Sequence, residues 1–421
     1  MRIWLVKIGE TLPVGKDDKR LLRTGLLSKA LANDGHDVVW WTSTFDHFKK
    51  KQLFEEDTDF NYLPNLRISL LFGKSYKRNV SIDRIQDHQI ISEKFKKRIQ
   101  EETNKPDIIV CSYPTIGLAY QCIKFGKKYN IPVLIDIRDL WPDIFIEELL
   151  PKPLRYLALK TYNLLFKKHQ YVFKNADGII GITESILNWG LHYAGRKATE
   201  KDKVFHLSYN KSNLECTNLQ LESIEKKGLT FDKSKLYACL IGTISVYKFD
   251  FKPIIEAAKL LINTNKEIQF VICGDGEGLE KLRETCKGLN NIVFTGWIDQ
   301  HEINCILTNA DIGIAPYHNT FTYLTSIPSK ISEYFAYGMP VVSGLGGILA
   351  NYLKMNDAGY FYQSGQELAE QLIALKNNPE HLFRIRANAL RIFAKEFDSG
   401  IVYENFKQHI LTFKKIENDR N

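Results

Sequence analysis

The chain has 421 residues, 44% hydrophobic and 25% charged, and a formal net charge of +8. That length exceeds one ordinary core and suits two α/β domains, and the composition excludes a disordered chain. Its seven cysteines (Cys111, Cys122, Cys216, Cys239, Cys273, Cys286, Cys305) are scattered and never form a C-x-x-C pair. The pattern predicts buried free thiols in a reducing compartment, against a disulfide framework or a zinc site. No stretch approaches the ~18 uninterrupted apolar residues of a membrane span, and Lys7 breaks the opening apolar run, so neither a span nor a signal peptide is expected. The charge is lopsided. Residues 1–210 hold 34 Lys and Arg against 25 Asp and Glu, and the remainder holds 23 against 24. A basic first half suits a solvated surface, an anionic membrane face or an anionic acceptor.

In chain order, Ile3–Ile8 reads as a short buried strand followed by a Gly/Pro/Asp loop. A helix follows, with Leu21, Leu22, Gly25, Leu26, Ala30 and Leu31 on one face, ending near Gly35. Val38–Thr42, Asp107–Cys111, Val133–Ile137 and Gly178–Ile182 are apolar runs of the parallel-sheet kind. With helical stretches between them they make βαβ units, hence a doubly wound domain. The second half repeats the pattern. Its strands are expected at Tyr237–Ile241, Gln269–Cys273, Asn291–Phe294, Ile312–Ala315 and Pro340–Val342, with helices from Pro253, Glu277, Glu302, Ser329 and Gly365. The polar, strand-poor stretch from Asn210 to Ser234 reads as the hinge. The domains are therefore placed at 1–212 and 213–397. A terminal amphipathic helix, with Val402, Tyr403, Phe406, Ile410, Leu411 and Phe413 at helical spacing, lies within about 398–421 and is expected to pack back on the first domain.

The segment from Ile327 to Val342 carries the chemistry. Pro328 sets a helix start that Ser329 can cap, and backbone N–H groups there would face an anion. Lys330 adds a positive charge in the first turn. Glu333, one turn further on the same face, suits a ribose diol, whose two hydroxyls would donate to its carboxylate. Gly338 ends the helix and Pro340 leads into the next strand.

These residues, taken with five further pieces, resemble the retaining family-4 glycosyltransferases of the GT-B fold. The pieces are Ala32–Val38, Ala176–Ser185, Ile272–Gly276, Val293–Trp297 and Ala310–Pro316, and the resemblance covers nearly the whole chain. Asp136–Asp143 looks like a feature of members acting on lipid-linked bacterial surface polysaccharides such as O-antigen or capsule. The resemblance implies two Rossmann-like domains facing across a cleft, the first holding the acceptor and the second the nucleotide sugar, with UDP as the expected nucleotide. It implies a hexose or N-acetylhexosamine donor, no metal and no cofactor. The chain would be cytoplasmic, at most peripheral on the inner face of the membrane, and would bind no nucleic acid. Of the family's two glutamates eight positions apart, Glu333 matches the ribose-binding second. The first falls on Thr325, so sugar contacts pass to its hydroxyl or to neighbouring amides. Of the family's Arg and Lys on the diphosphate, Lys248 matches the Lys, while Thr243 stands in place of the Arg beside Gly242.

Stabilising the diphosphate as the anomeric C–O bond breaks is the main catalytic need. Lys248, Lys330 and the amides near Ser329 are the candidates, with Pro316 also lining the donor side. Gly9 and Gly15 could bring amides to the phosphates. In the first domain Arg138 and Asp139, after a strand, are expected to act in catalysis, and His47 and Tyr113 to touch the acceptor. The span from Pro151 to Ala176 holds six Lys and Arg (Lys152, Arg155, Lys160, Lys167, Lys168, Lys174) and no acid before Ala176; this suits either a helix packed on the domain or contact with an anionic membrane. Competing readings are a sugar-nucleotide epimerase and a catalytically retired GT-B scaffold.

Overall fold

Runs of Val, Ile, Leu and Trp with no polar face must be covered on both sides. In the computed structural model, which describes residues 1–14, 21–151, 153–155, 163–211, 214–264 and 267–414, they form parallel sheets. The chain divides into two units, one of Met1–His206 joined by the residues from Val402 onward, the other Leu207–Ile401. The expected boundaries at 212/213 and 397/398 are shifted by a few residues at each crossing.

The first unit holds an eight-stranded sheet. Its strands are β1 (Arg2–Val6), β2 (Asp37–Ser43), β5 (Thr58–Leu63), β6 (Leu66–Leu71), β7 (Ile108–Tyr113), β8 (Val133–Ile137), β9 (Gly178–Gly181) and β10 (Lys203–Val204), with a small hairpin of β3 (Phe45–Asp46) and β4 (Lys51–Gln52) after β2. The order is β10-β9-β8-β7-β1-β2-β6-β5, parallel except for β5 at the edge. Alternation sorts the tryptophans. Trp4 and Trp41 meet at 5.5 Å on one face, against Phe125 and Phe95 of the helices Ile116–Tyr129 and Ile82–Glu101. Trp40, Ile3, Leu5 and Ile68 face the other way, onto Leu27 and Leu31 of the helix Arg23–Asn33. Tyr403, Phe406 and Ile410 of the terminal helix Ser399–Leu411 complete that face.

The second unit is a six-stranded parallel sheet in the order β13-β12-β11-β14-β15-β16. These strands are β11 (Leu236–Ile241), β12 (Ile268–Cys273), β13 (Ile292–Gly296), β14 (Ile312–Ala315), β15 (Val341–Ser343) and β16 (Gly359–Phe361). Helix starts carry the expected chemistry: an Asp299/Glu302 capping box, and Ser364 and Asn378 accepting from the amides of Glu367 and His381. This unit and the first are the doubly wound α/β domains that the sequence predicts.

Three expectations change. The supposed hinge contains a helix, Asn218–Lys226, fixed to Gln300–Asn309 by Ser223 and Lys227, both 2.7 Å from Glu302. The same packing brings Cys216 to Cys305, 89 residues away, and the two form a disulfide; linear spacing could not reveal that pairing. Cys111, Cys122, Cys239, Cys273 and Cys286 are free and buried, as expected. Finally, β5, β6 and the long Ile82–Glu101 helix were not anticipated. No described helix is long and apolar enough to cross a membrane.

Phe406 is fully buried and stacks on Phe205 at 4.6 Å. Phe406→Ala is expected to cost about 3–5 kcal/mol in urea unfolding, whereas a terminal helix that packs on nothing would give a change near zero.

Candidate functional site

In the second unit the loops leaving β11 and β12 stack backbone on backbone. Gly242 and Gly274 sit at φ +137° and +127°. A Cβ at Gly274 would stand 2.0 Å from the Gly242 carbonyl oxygen, and one at Gly276 2.4 Å from that of Ile244. Only glycine permits that approach. The Gly242 amide donates to Cys273 O at 2.9 Å and the Ile244 amide to Asp275 O at 2.9 Å, which locks the crossing.

Lys330 lies over it. A Cβ at Gly242 would be 2.8 Å from the Lys330 Nζ, which also sits 5.9 Å from the centroid of the Tyr334 ring. Tyr334 is pinned beneath, its hydroxyl accepting from the Ile241 amide at 3.2 Å and donating to Ile314 O at 3.3 Å. Among the described residues Lys330 forms no salt bridge. Burial drives its ammonium below the usual lysine range; Glu333 favours the charge and Lys248 opposes it. Glu333 is half-buried on the helix Ser329–Ala336 and likewise makes no ion pair among the described residues. The fold thus brings Glu333 and Lys248 within electrostatic reach of Lys330, with no direct ion pair at Lys330 or Glu333 among the described residues.

Lys248 is exposed in the loop after β11, its carbonyl accepting from the His318 amide at 2.9 Å. Glu277, which the sequence reading did not single out, accepts the Ser245 hydroxyl at 2.6 Å; that bond, with Lys248 nearby, holds its carboxyl below the usual range. Thr243 is exposed beside Gly242. Thr325 ends the short helix Phe321–Leu324, and its hydroxyl donates to Thr322 O at 3.0 Å and Phe321 O at 3.3 Å. Ser329 does not cap: Pro328 occupies the cap position, and the first turn has no side-chain cap. Pro316, Tyr317, His318 and Asn319 line a cavity of about 380 Å³ with Gly344 and Gln363. Asn319 ties its rim, donating to Gly344 O at 3.0 Å and accepting from the Gly346 amide at 2.8 Å. A cavity of about 560 Å³ in the first unit, near Gly126, Pro132 and Asp177, lies at the amino ends of β8 and β9, the edge opposite to the loops of interest. Gly15 falls outside the described residues.

In the first unit the carboxyl ends of β1, β7 and β8 hold a buried ionic lattice. Asp136 pairs with Arg138 at 2.7 Å and Arg23 at 3.1 Å; Arg138 also reaches Glu10 at 3.3 Å and the Ser112 hydroxyl at 3.0 Å. Burial alone would raise the Asp136 carboxyl, but Arg138 and then Arg23 outweigh it and hold it below the usual range. Arg138, expected from sequence to act in catalysis, is thus held at the strand ends by Asp136 and Glu10. Tyr113 is also reassigned. It is wholly buried, donating to Trp141 O at 3.0 Å and bonded to His169 at 2.6 Å among Phe173 and Trp189, so it has no face for an acceptor. Asp139 is half-buried, with one oxygen accepting the Leu140 amide at 2.9 Å; burial raises its carboxyl, and Lys7 and Arg84 act against the rise. His47 packs beside Gly9 and is 2.7 Å from the Tyr76 hydroxyl. Lys152 and Lys160 lie outside the described residues. Arg155 is paired with Glu147 at 2.6 Å, while Lys167, Lys168 and Lys174 are exposed. Among the described residues no three His, Cys, Asp or Glu gather as a metal-holding group.

Two Rossmann-like units of this topology define the GT-B class of fold. Residues 222–391 match the family model described as glycosyl transferases group 1. The chain is 27% identical over 314 residues to an uncharacterized glycosyltransferase of Methanocaldococcus jannaschii, covering 72% of this chain and 71% of that one. It is 23% identical over 206 residues to the 2-deoxystreptamine N-acetyl-D-glucosaminyltransferase of Niallia circulans, spanning 48% of this chain and about half, 49%, of that relative's length. Among solved structures, Anabaena HepE in complex with UDP superposes with a TM-score of 0.65 at 14% identity, over 98% of this chain and 100% of that one. Sucrose-phosphate synthase from Thermosynechococcus elongatus gives 0.65 at 15% identity, over 98% of each chain. These likenesses show the GT-B fold and make glycosyltransferases the proteins this chain resembles.

Two outcomes are expected for the first unit. Asp136→Ala leaves two buried guanidinium groups without their shared carboxylate and is expected to cost about 3–5 kcal/mol in denaturant unfolding. A second concerns buried imidazoles: burial lowers His47 to about 4 and His88 and His169 to about 3. Each is neutral when folded and takes up a proton near pH ~6.5 once unfolded. The stability they confer is present above that pH and falls as pH drops from there towards about 4. Unfolding free energies measured across that range should decline, and His169→Phe should flatten the decline.

Proposed function

We propose that the chain is a retaining, metal-independent glycosyltransferase. In this reading it moves a hexose or N-acetylhexosamine from a nucleotide diphosphosugar to a lipid-linked or saccharide acceptor in bacterial surface polysaccharide synthesis, working at the inner face of the cytoplasmic membrane. The observation that carries it is the desolvated Lys330 ammonium over the Gly242 crossing, without a direct ion pair among the described residues and with the Glu333 carboxylate one helical turn on. A cation held in that state favours a multiply charged anion, and a diphosphate with an attached ribose fits the pair: phosphate oxygens at Lys330, ribose hydroxyls donating to Glu333. The UDP complex of HepE, whose fold this chain shares, favours UDP as the nucleotide.

Chemistry then requires the anomeric C–O bond to break with its electron pair passing to the diphosphate. The acceptor hydroxyl oxygen bonds to that carbon, and its proton passes to the departing phosphate oxygen. Negative charge grows on the diphosphate as the bond breaks, so Lys248 and Lys330 stabilise the transition state more than the bound donor. Asn319 and the Pro316 cavity border the sugar, and Thr325 offers its oxygen as an acceptor of hydrogen bonds while its proton is held by its own helix. In the first unit Asp139 orients the acceptor hydroxyl, and the lattice around Arg138 holds it in place.

Glu333→Ala should weaken UDP-sugar affinity by tenfold or more, given roughly 1.5–3 kcal/mol for each hydrogen bond to a charged acceptor, with native thermal unfolding; near-native affinity in calorimetry would sink the ribose assignment. Lys248→Ala should lower kcat by on the order of a hundredfold while the donor dissociation constant stays close to native. A change confined to donor affinity would show that Lys248 serves binding alone.

A further inference from the structure

A second set of charges in the first unit has no part in the donor chemistry. Lys50, in the loop between β3 and β4, places its Nζ 5.0 Å from the centroid of the Tyr76 ring. Arg84, in the first turn of Ile82–Glu101, lies 5.8 Å from the same ring and 4.9 Å from that of Trp141. His47 stands 3.5 Å from the Lys50 Nζ, and His88 stacks on Trp141 at 6.0 Å. Both imidazoles are neutral near pH 7, so the positive charge at this place comes from Lys50, Arg84 and Lys7, with the carboxyls of Asp46, Asp87 and Asp139 acting on them from their surroundings. The three cations repel one another.

What Lys50 and Arg84 lack is a direct ion pair. Among the described residues neither Lys50 nor Arg84 forms a salt bridge. Both lean on Asn79, Lys50 through its side-chain oxygen and Arg84 through its carbonyl at 2.7 Å. Asp46, the carboxylate that acts on Lys50, accepts the Phe48 and Lys49 amides at 2.9 Å each. The Arg84 Nε is buried with no hydrogen-bond partner. Lys50 itself is held at φ +54°, a region non-glycine residues rarely occupy. Repulsion, a buried unpaired donor and a strained backbone are all unfavourable alone; a bound anion offsets the first two directly.

The surroundings narrow the anion. Phe48, between His47 and Lys50, is 59% exposed; Val80, next to Asn79, is 63% exposed; Ile82 and Ile85, on either side of Arg84, are 74% and 59% exposed. Apolar side chains offered to solvent around a cationic centre match an amphiphile with a charged head and a hydrocarbon tail. Asp139 feels both Lys7 and Arg84, which links this cluster to the residue that orients the acceptor hydroxyl.

We propose that Lys50 and Arg84 hold the phosphate head of a lipid-linked acceptor, while Phe48, Val80, Ile82 and Ile85 receive the start of its hydrocarbon chain. The assignment rests on the glycosyltransferase reading, of which it names the acceptor's chemistry. It is tested by sedimenting the full chain with phosphatidylcholine vesicles carrying a polyprenyl phosphate, beside vesicles carrying phosphatidylserine at the same negative charge. The native chain should favour the polyprenyl phosphate. Lys50→Gln and Arg84→Gln should each weaken that binding on the order of tenfold, with UDP affinity and thermal unfolding unchanged. Arg84→Lys, which keeps the charge but not the forked donors, should give a smaller loss. Equal retention on both vesicle types, or native-like binding by the double variant, overturns the head-group site. Inorganic phosphate that binds as tightly as the lipid overturns the hydrocarbon part. A chain that binds polyprenyl phosphate but not UDP or any other nucleotide leaves this site standing and ends the donor reading instead.

Discussion

Parallel strands finish together, so every loop that leaves their carboxyl ends must satisfy its polar groups along one edge of the sheet. In the second unit that constraint produces the glycine crossing: Gly242 and Gly274 bring two loops into backbone contact, and the Lys330 Nζ settles over the junction. Everything proposed about the donor descends from this. A lysine placed on a crossing with no room for side chains is desolvated without being paired, and a group in that state gains most from an anion that arrives with its own charge.

The first unit meets the same constraint differently. Its strand ends are filled by side chains, not by close backbone approach: Asp136 sits between Arg23 and Arg138, and Arg138 reaches on to Glu10 and Ser112. Such a lattice is costly to assemble and more costly to break, because each buried charge depends on the others. Asp139, Lys50 and Arg84 lie half-buried in the same unit, outside these ion pairs. The two edges thus divide the labour. Paired charges organise the first edge, and binding is proposed for those outside direct ion pairs.

The helix Ser329–Ala336 and the terminal helix Ser399–Leu411 show how one pattern serves two ends. Both are amphipathic and both were visible in the sequence. The first buries Ile331, Tyr334 and Phe335 against its sheet and leaves Lys330 and Glu333 at the loop edge; the second buries Phe406 and Ile410 and returns the chain to the first unit.

Local pattern determined a good deal by itself: the two parallel-sheet halves, the strands Val133–Ile137 and Ile312–Ala315 to the residue, and the helix start at Pro328. Apolar runs and helix signals act within a dozen residues, and those the sequence carries openly. Tertiary structure alone decided the rest. Which of two neighbouring charges is paired separates Arg138, locked to Asp136, from Asp139, which forms no ion pair among the described residues; the two adjoin in the chain and no spacing rule distinguishes them. Tyr113 alternates like any strand residue and only packing shows it wholly enclosed. Cys216 and Cys305, and Lys50 and Arg84, meet across long stretches of chain. Burial and partnership are properties of the folded surroundings of a side chain, and those exist only once distant segments have been brought together.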